Sequence, residues 1–447
     1  MQVYLTALGC RLNEAELQMW AEDFRTFGIT VTPEIENANL LVINTCAVTG
    51  EAARKSRQTI RKLHRKNPQA KLVVTGCYAS LEKEQAEDIL GVDLIVSNAD
   101  KSRLPEQAKE LLDWKAMPFA ATEPDESALF VRNRERAFIK IQDGCRYRCT
   151  YCIVTVARGE ESSRTIEDIV DEVNRLHQSG VQEIVLTGVH VGGYGSDLDC
   201  SLYDLVVAIL QQTDMPRIRF ASVEPWDLPE EFFQLFKNKR LMPHMHLPIQ
   251  SGSNRILRKM SRRCKSETFA QLVEQARKVV PEFNVTTDII VGFPGETDED
   301  FELSKSIIEK VGFGHVHIFS YSNREGTKAA RLSDQINNDV KKQRSQQLHL
   351  IAAKSKLSMQ QKMLGEKQSI LWEGKPHKTA AGKYRFFGHT ENYHKVYLEI
   401  EQPLDIANQV FDCEIIAVDE VMGTLVAKTI TPLNATVAEE KLLVVQL

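Results

Sequence analysis

Three cysteines stand within eight residues in the segment Cys145-Arg146-Tyr147-Arg148-Cys149-Thr150-Tyr151-Cys152, at the spacing C-x3-C-x2-C. An alternating run over 138–141 predicts a strand before them, and Asp143-Gly144 predicts a turn. Thiolates this close can face one metal centre, and cysteine thiolates are the ligands of iron–sulfur clusters. A four-iron cluster with three protein ligands keeps one iron open for chemistry. A structural zinc site is the alternative, but zinc needs four ligands and no fourth Cys or His lies nearby.

A second set of cysteines is spread along the amino-terminal region. Cys10, Cys46 and Cys77 follow predicted strands at 3–8, 40–44 and 71–75. Because ligands bind at the carboxyl ends of strands in open α/β sheets, the three thiols can converge on one site. The alternative is three unrelated buried cysteines. We predict a second three-cysteine cluster site.

Composition limits the kinds of partner and compartment. The 447 residues are 43% hydrophobic and 26% charged with a net charge of −5, so nucleic acid could be contacted only through local basic patches. No 18-residue apolar run is present and the amino terminus lacks the layout of a signal peptide. We therefore expect a cytoplasmic protein with no membrane contact, whose nine cysteines are metal ligands or buried thiols.

The hydrophobic patterns predict an α/β fold with three domains. Residues 1–112 alternate strands with helices at 13–27 and 48–66, which predicts a mostly parallel sheet. Residues 113–136 form a polar linker. Residues 137–365 contain six strand and helix alternations, which predict a partial (β/α)6 barrel whose chemistry collects at the carboxyl ends of its strands. Residues 366–432 predict a small β-barrel, followed by a tail at 433–447.

Two regions combine basic and aromatic residues in a way that suits RNA. The helix after Cys46 carries Arg54, Lys55, Arg57, Arg61 and Lys62. Such a run is either a solvated helix face or a phosphate-binding surface. The last domain offers Tyr384, Arg385, Tyr393 and Lys395, which could stack on unpaired bases and contact phosphates. Alternatively its aromatic residues form the barrel core, and one of the neighbours Phe386 and Phe387 must do so.

Other polar residues have more than one interpretation. Arg158 lies just past the cysteine segment, where an arginine could meet a carboxylate or a phosphate. Asp143 could orient a substrate or cap the cysteine loop. His244 and His246 point the same way on a predicted strand and could form a metal pair, although core or cavity-lining histidines are commoner.

The C-x3-C-x2-C segment, with Tyr151 before its last cysteine, resembles the signature of the radical S-adenosylmethionine (SAM) enzymes. The resemblance implies that the open iron binds the amino and carboxylate groups of SAM, and that one electron cleaves the sulfonium to give a 5′-deoxyadenosyl radical. It also implies SAM contacts from Tyr151 and from residues at the strand ends. These are Gly188, Ser222, Glu224, Gln250, Val291, Gly292 and Phe293.

Residues 388–396 resemble the RNA-binding TRAM domain. A three-cysteine domain, a radical SAM barrel and a TRAM barrel in this order resemble the methylthiotransferase family across essentially the whole chain. The segments 8–13, 44–49 and 55–58 look most like the branch that acts on N6-threonylcarbamoyladenosine at position 37 of tRNA. The resemblance implies that Cys145, Cys149 and Cys152 hold the radical-generating [4Fe-4S] cluster. Cys10, Cys46 and Cys77 would hold an auxiliary [4Fe-4S] cluster that carries the sulfur. Two SAM molecules would be used, one to methylate that sulfur and one to activate C2 of adenine.

The expected partners follow from this resemblance: the anticodon stem-loop of tRNA, an electron donor and a sulfur source, with the protein a monomer. Related branches act on isopentenyladenosine in tRNA or on an aspartate of a ribosomal protein, and both alternatives stay open. A non-enzymatic alternative is an RNA-binding iron–sulfur sensor, which the strand-end motifs disfavour.

Overall fold

The computed structural model describes residues 1–113, 135–402 and 404–430. Its amino-terminal domain is built on a five-stranded parallel sheet in the order β2-β1-β3-β4-β5. The central strands are buried on both faces, which explains their continuous apolar sequences. The strands are β1 (Gln2–Ala7), β2 (Thr30–Val31), β3 (Leu40–Thr45), β4 (Lys71–Gly76) and β5 (Leu94–Val96). The helices are α1 (Arg11–Thr26), α2 (Gly50–Lys66), α3 (Cys77–Leu81), α4 (Lys83–Glu87) and α5 (Leu104–Leu111).

The central domain is an open barrel of six parallel strands. Two three-stranded sheets, β6-β9-β10 and β11-β12-β13, are joined by parallel bridges between Ile218 and Leu241 and between Ser222 and His246. The strands are β6 (Arg136–Lys140), β9 (Glu183–Thr187), β10 (Arg217–Phe220), β11 (His244–His246), β12 (Asn284–Val291) and β13 (His315–Ser320), with a small hairpin of β7 (Gln142–Asp143) and β8 (Ser162–Ser163) beside them. The helices are α6 (Val154–Arg158), α7 (Ile166–Gln178), α8 (Leu202–Gln212), α9 (Asn254–Lys259), α10 (Ser266–Val279), α11 (Asp298–Val311) and α12 (Asn338–Gln361).

The two open edges of this barrel are covered. Helix α1 of the amino-terminal domain lies on β6, where the Phe138 backbone N–H donates to Gln18 Oε1 at 3.1 Å and Ala15 packs against Phe138. Helix α12 lies along β13, with Leu348 and Val316 in one apolar core. Covering an edge strand satisfies its backbone groups and prevents unwanted pairing. The amino-terminal domain is thereby fixed beside the barrel.

The carboxy-terminal domain is a closed barrel in the order β14-β15-β16-β18-β17. Its strands are β14 (Lys367–Lys378), β15 (Tyr384–Thr390), β16 (Lys395–Ile400), β17 (Val410–Asp419) and β18 (Thr424–Thr429). The turn at 390–394 enters the amino-terminal end of the central barrel, where Arg219 donates to the carbonyls of Thr390 and Glu391 at 2.8 Å. The small barrel therefore closes the end of the central barrel opposite the strand ends that carry the predicted chemistry.

Most predicted elements are present, with two local differences. Residues 230–237, predicted as a helix at 229–237, form a 3-10 helix that buries three phenylalanines within five residues. Arg136, placed at the end of the predicted linker, begins β6 and pairs with Glu183. The rest of that linker from 114 to 134, and the predicted tail, lie outside the described residues. Within the described residues, none of the helices is both long enough and apolar enough to span a membrane.

Candidate active site

The segment of Cys145, Cys149 and Cys152 forms a loop that is tied to the barrel by its backbone. The Thr150 N–H donates to the Met260 carbonyl at 3.1 Å and the Thr150 carbonyl accepts from the Ala329 N–H at 2.8 Å. Gly144 has a φ of +68°, and a side chain there would overlap the Glu160 carbonyl, so only glycine fits this turn. The loop conformation is therefore set by the barrel.

The three thiols of this loop are close enough to affect one another electrostatically. Burial raises the pKa of Cys145 to about 12 and that of Cys152 to about 11, and the charges of the neighbouring cysteines act in the same direction. Arg262 donates to the Cys149 Sγ at 3.9 Å and supplies a nearby positive charge. Metal ligation requires thiolates, and three cysteines in one loop beside the positive charge of Arg262 form a donor set that fits a metal cluster.

Unpartnered polar atoms surround the loop. Among the described residues, Glu224 Oε2, Trp226 Nε1, Arg262 Nε and Tyr321 OH are buried without a hydrogen-bond partner. Burial also raises the pKa of Glu224. Buried polar groups are nearly always hydrogen-bonded, so a polar ligand fits here. Glu224 was predicted to contact SAM, whereas Arg262 and Trp226 were not singled out in the sequence because no local pattern distinguishes them.

The other residues predicted to bind SAM follow the ends of strands. Gln250 has a φ of +77°, which is strained for a residue with a side chain and is typical of functional sites. Phe293 is fully buried and its ring lies 5.5 Å from that of Tyr321. Of the remaining predicted positions, Gly188, Ser222, Val291 and Gly292 also lie at or just past the carboxyl ends of the strands. Tyr151 lies in the cysteine loop and packs against the apolar cluster that contains Phe293 and Tyr321. The structure thus brings this set to one edge, and its SAM contacts stay a prediction.

A buried histidine, His190, organises the side of the site next to Cys145. Its ring nitrogens lie 2.5 Å from Glu161 Oε1 and 2.6 Å from Asp227 Oδ2. Burial lowers the pKa of His190, but the hydrogen bond to Asp227 and the neighbouring carboxylates outweigh it and raise the pKa overall. Tyr147, from the cysteine loop, donates to Asp227 at 2.7 Å. The network therefore fastens the loop to the end of β9, in agreement with the expectation from the sequence that His190 is structural or substrate-contacting rather than a metal ligand.

The structure brings Cys10, Cys46 and Cys77 together at the carboxyl ends of β1, β3 and β4. Thr45 pairs with Gly76 in the sheet, so Cys46 and Cys77 follow paired residues. A side-chain carbon on Gly9 would lie 2.6 Å from the Cys46 Sγ, so the backbone before Cys10 passes directly beside this thiol. Burial raises the pKa of Cys46, and the charges of Cys10 and Cys77 raise it further. These cysteines fit the predicted auxiliary cluster.

Polar residues hold these cysteines in place. The hydroxyl of Ser56, on α2, accepts from the Cys46 N–H at 3.1 Å and donates to the Cys46 carbonyl at 2.8 Å. Asn13 donates to the Leu8 carbonyl at 2.7 Å, and its Oδ1 accepts from the Cys10 thiol at 3.6 Å. Cys10 itself directly precedes α1, and burial raises its pKa although the nearby charge of Arg158 acts in the opposite direction. Asn13 and Ser56 lie in the segments 8–13 and 55–58, which were named for their resemblance to the methylthiotransferase family and for which no structural role was predicted.

A cavity of about 200 Å³ lies at the mouth of the barrel and is shared by both cysteine regions. Val48 and Thr49, just after Cys46, line one side, and Tyr151, Cys152 and Gln250 line another. A hydrogen bond of 3.3 Å from the Gly50 N–H to Ser322 Oγ joins the two domains beside it. A substrate in this cavity would thus touch both regions.

Below the cavity, the inward face of the barrel is polar. His246 Nε2 lies 3.2 Å from Asp288 Oδ1, and the His246 and His317 rings are 5.5 Å apart. The predicted metal pair of His244 and His246 is not supported, because both rings direct a nitrogen at Thr286 Oγ1, at 3.0 and 2.9 Å. His244 is buried and His246 is half-buried, in agreement with the alternative that they are core or cavity-lining residues.

The predicted RNA-contacting residues of α2 are mostly exposed. Arg54, Arg61 and Lys62 face solvent, and so does Lys55, which pairs with Glu51 at 3.0 Å. Arg57 instead pairs with Glu82 at 3.4 Å and lies over the Tyr78 ring. Helix α2 begins beside the cavity, so its exposed cations could reach a substrate there.

In the carboxy-terminal barrel the predicted RNA contacts divide. Phe386 is the core member of its pair, as expected for one of the two. Tyr384 is half-buried, Arg385 pairs with Glu399 at 2.6 Å, and Lys395 is exposed over the Phe387 ring. The structure does not support Tyr393 as a base-stacking ring. Its ring stacks on His244 and His389 at 4.8 and 4.7 Å, because it fills the end of the central barrel.

Comparison with known proteins agrees with this architecture. The radical SAM superfamily model matches residues 139–305, and the model of the uncharacterized protein family UPF0004 matches residues 2–97. In the radical SAM methyltransferase TsrM from Kitasatospora setae, crystallised with cobalamin and a [4Fe-4S] cluster, the fold is similar with a TM-score of 0.54 at 16% identity, over 71% of this chain and 74% of that one. At this identity the likeness establishes the fold alone.

Two curated relatives are similar along most of their length. The threonylcarbamoyladenosine tRNA methylthiotransferase MtaB of Thermotoga maritima is 35% identical over 83% of this chain and 86% of its own length. The tRNA-2-methylthio-N(6)-dimethylallyladenosine synthase of Staphylococcus saprophyticus is 37% identical over 82% of this chain and 74% of its own length. Together with the two cysteine sites, these similarities place the chain in the radical SAM methylthiotransferase family, whose cofactors are [4Fe-4S] clusters and SAM.

Proposed function

We propose that this chain adds a methylthio group to C2 of N6-threonylcarbamoyladenosine at position 37 of tRNA. The observation that carries the proposal is the shared cavity, which is bordered by Cys152 of one cysteine set and by Val48 and Thr49 next to Cys46 of the other. The C2–H bond of adenine has no acidic proton, so a side-chain base cannot activate it. When bound, the two clusters and SAM supply the radical and the sulfur.

The residues of the chain supply position and charge. Cys145, Cys149 and Cys152 would hold the cluster that binds SAM, and the unpartnered atoms of Glu224 and Arg262 would bind the polar end of SAM. Cys10, Cys46 and Cys77 would hold the auxiliary cluster. The two domains, joined by the hydrogen bond between Gly50 and Ser322, border the cavity from both sides.

Two features favour the threonylcarbamoyl substituent over the dimethylallyl one. The wall below the cavity carries His246, Asp288 and His317, which can hydrogen-bond hydroxyl, urea and carboxylate groups but would leave an apolar substituent unmatched. The chain also spans 86% of the Thermotoga relative but 74% of the Staphylococcus relative. Methylthiolation of dimethylallyladenosine is the second candidate, since the identities are nearly equal.

Nucleoside mass spectrometry of tRNA tests the proposal. We expect 2-methylthio-N6-threonylcarbamoyladenosine to disappear from cells that lack this gene and to return when it is restored. Loss of the dimethylallyl product instead would show that the substrate is dimethylallyladenosine and that the methylthiolation reaction is as proposed. No change in any tRNA nucleoside would contradict the proposal.

A further inference from the structure

Five charged side chains meet at the interface between the amino-terminal domain and the central barrel. Glu16 and Lys101 come from the first domain, and Lys140, Asp143 and Arg158 come from the second. The side chains of Arg158, Glu16 and Lys101 are only 1%, 3% and 5% exposed. Burying this many charges is unfavourable unless each is paired. The balance of positive and negative charge within this group therefore indicates whether a further charged group is bound beside it.

The contacts centre on Arg158, at the end of α6. Its guanidinium donates to Glu16 Oε1 at 2.9 Å and to Asp143 Oδ1 at 3.0 Å. It also donates to Asn13 Oδ1 at 2.7 Å, the same atom that accepts from the Cys10 thiol. Arg158 belongs to the segment that follows Cys152, yet it reaches the cysteine site of the other domain.

The group carries one more positive charge than negative charge. Among the described residues, Lys101, Lys140 and Arg158 form their ion pairs within this group with the two carboxylates of Glu16 and Asp143. Burial and the positive charge of Arg158 lower the pKa of Lys101, and the Glu16 carboxylate at 2.6 Å offsets this only in part. An anion is thus needed nearby, and Cys77 is among the groups that act on both Lys101 and Arg158.

An iron–sulfur cluster on Cys10, Cys46 and Cys77 would be such an anion, because three thiolates outweigh the charge of a [4Fe-4S]2+ core. We propose that Arg158 is a positioning residue for the auxiliary cluster, supplying its counter-charge and raising its reduction potential from across the domain interface. This inference rests on the proposed function for the presence of that cluster.

The arrangement links the two cysteine sites through the chain. The Gly159 carbonyl, next to Arg158, accepts from the Cys145 N–H at 3.1 Å. The Ala157 carbonyl accepts from Asn98 Nδ2 at 2.6 Å, and the same amide group lies 3.9 Å from the Cys77 Sγ. The segment that shapes the radical site thereby also contacts the auxiliary site.

The test measures the auxiliary cluster alone. In the full chain, C145A/C149A/C152A removes the other cluster, and the midpoint potential and electron paramagnetic resonance spectrum of the remaining one are recorded. We expect Arg158→Gln to lower the potential, because a lost positive charge disfavours the added electron. Asp143→Asn should raise it, and Arg158→Lys should fall between wild type and Arg158→Gln.

Opposite shifts distinguish an electrostatic role from general loosening. Arg277→Gln is the control, since Arg277 is a half-buried arginine that donates to the Gly312 carbonyl at 2.7 Å on the outer layer of the barrel. Unchanged potentials, or shifts of one sign in all variants including Arg277→Gln, would overturn the proposal. Absence of iron in the C145A/C149A/C152A protein would instead contradict the auxiliary site and the proposed function.

The complete enzyme gives a second readout. With all six cysteines present, Arg158→Gln should lower methylthio transfer by about tenfold or more, the usual effect of losing a group that orients a metal ligand, and should lower SAM cleavage by a smaller factor. Equal loss of both activities would show damage to the radical site and would count against the proposal.

Discussion

The side chain of His317 lies on the inward face of β13, beside His246 and Asp288, in the polar wall below the cavity. Substituting His317→Phe should lower the rate of methylthiolation on a stem-loop with threonylcarbamoyladenosine by about ten- to a hundredfold, the effect of one lost hydrogen bond to a charged group. The measurement is kcat/KM on two stem-loops, one with each N6 substituent.

The comparison between stem-loops decides the interpretation. If His317 contacts the substituent, the dimethylallyl stem-loop should be used no worse by the His317→Phe protein than by the wild type. Equal losses on both stem-loops would show that His317 acts on the barrel rather than on the substituent. Val316→Leu, which alters the outward face of the same strand, is the matched control.

The two cysteine sets give a prediction about iron. Reconstituted wild-type protein should hold about eight irons, and C10A/C46A/C77A should hold about four, because each set of three thiolates binds one cluster. Colorimetric iron analysis makes the measurement. The substitutions C200A/C264A/C413A are the control, since these three cysteines are neither disulfide-bonded nor part of either set. Full iron content in C10A/C46A/C77A would disprove the amino-terminal site.

At the scale of elements, α2 combines a buried face with an exposed basic face that begins beside the cavity. Replacing Arg54, Arg61 and Lys62 by Gln should weaken tRNA binding and make the dependence of log Kd on log salt concentration shallower by about two to three, since each lost phosphate contact removes about 0.9 on duplex RNA or DNA. Filter binding at several salt concentrations provides the slope.

A control with the same change of charge separates contact from net charge. Lys237, Lys278 and Lys310 are exposed on the outer layer of the central barrel, away from the cavity. Replacing these three by Gln should leave the slope within about 0.5 of wild type, because they make no phosphate contact. Equal effects of the two sets would mean that α2 is only a solvated helix.

Elements were predicted well where local pattern decides them. The run of β-branched residues in β12 and the helical spacing of α7 are intrinsic to the sequence, and the structure has both close to the predicted bounds. Cys10 and Cys46 could be brought together in advance because the ends of parallel strands share an edge. The contacts of Arg262 and His190 could not be predicted, because each is made with a residue far away in the chain.

At the scale of the whole molecule, Glu183 joins the two barrels. It is fully buried beside Arg136, Arg217 and Arg219, at 2.5, 3.0 and 2.8 Å. Glu183→Gln should lower the free energy of unfolding by about 3–5 kcal/mol, because it leaves three buried arginines without their shared carboxylate. Urea unfolding at pH 7 makes the measurement.

The same carboxylate predicts a pH dependence. Burial raises the pKa of Glu183, but the three arginines outweigh it and hold the pKa well below its ordinary value. Its contribution to stability is therefore present above the unfolded pKa of about 4.3 and is lost as the pH falls below it. The wild type should lose more stability between pH 6 and pH 3 than Glu183→Gln does. Parallel pH profiles would contradict this assignment.

The turn around Tyr393 also changes how a truncated protein should be interpreted. Cutting the chain after α12 would remove the carboxy-terminal barrel, which an experimenter would intend as the removal of an RNA-binding domain. The same cut would also open the amino-terminal end of the central barrel. Arg217 and Arg219 would lose the backbone carbonyls of Thr390 and Glu391, and water would gain a second route to the histidine-lined interior. Loss of activity in such a truncated protein would therefore say little about RNA binding, because the domain also closes one end of the central barrel.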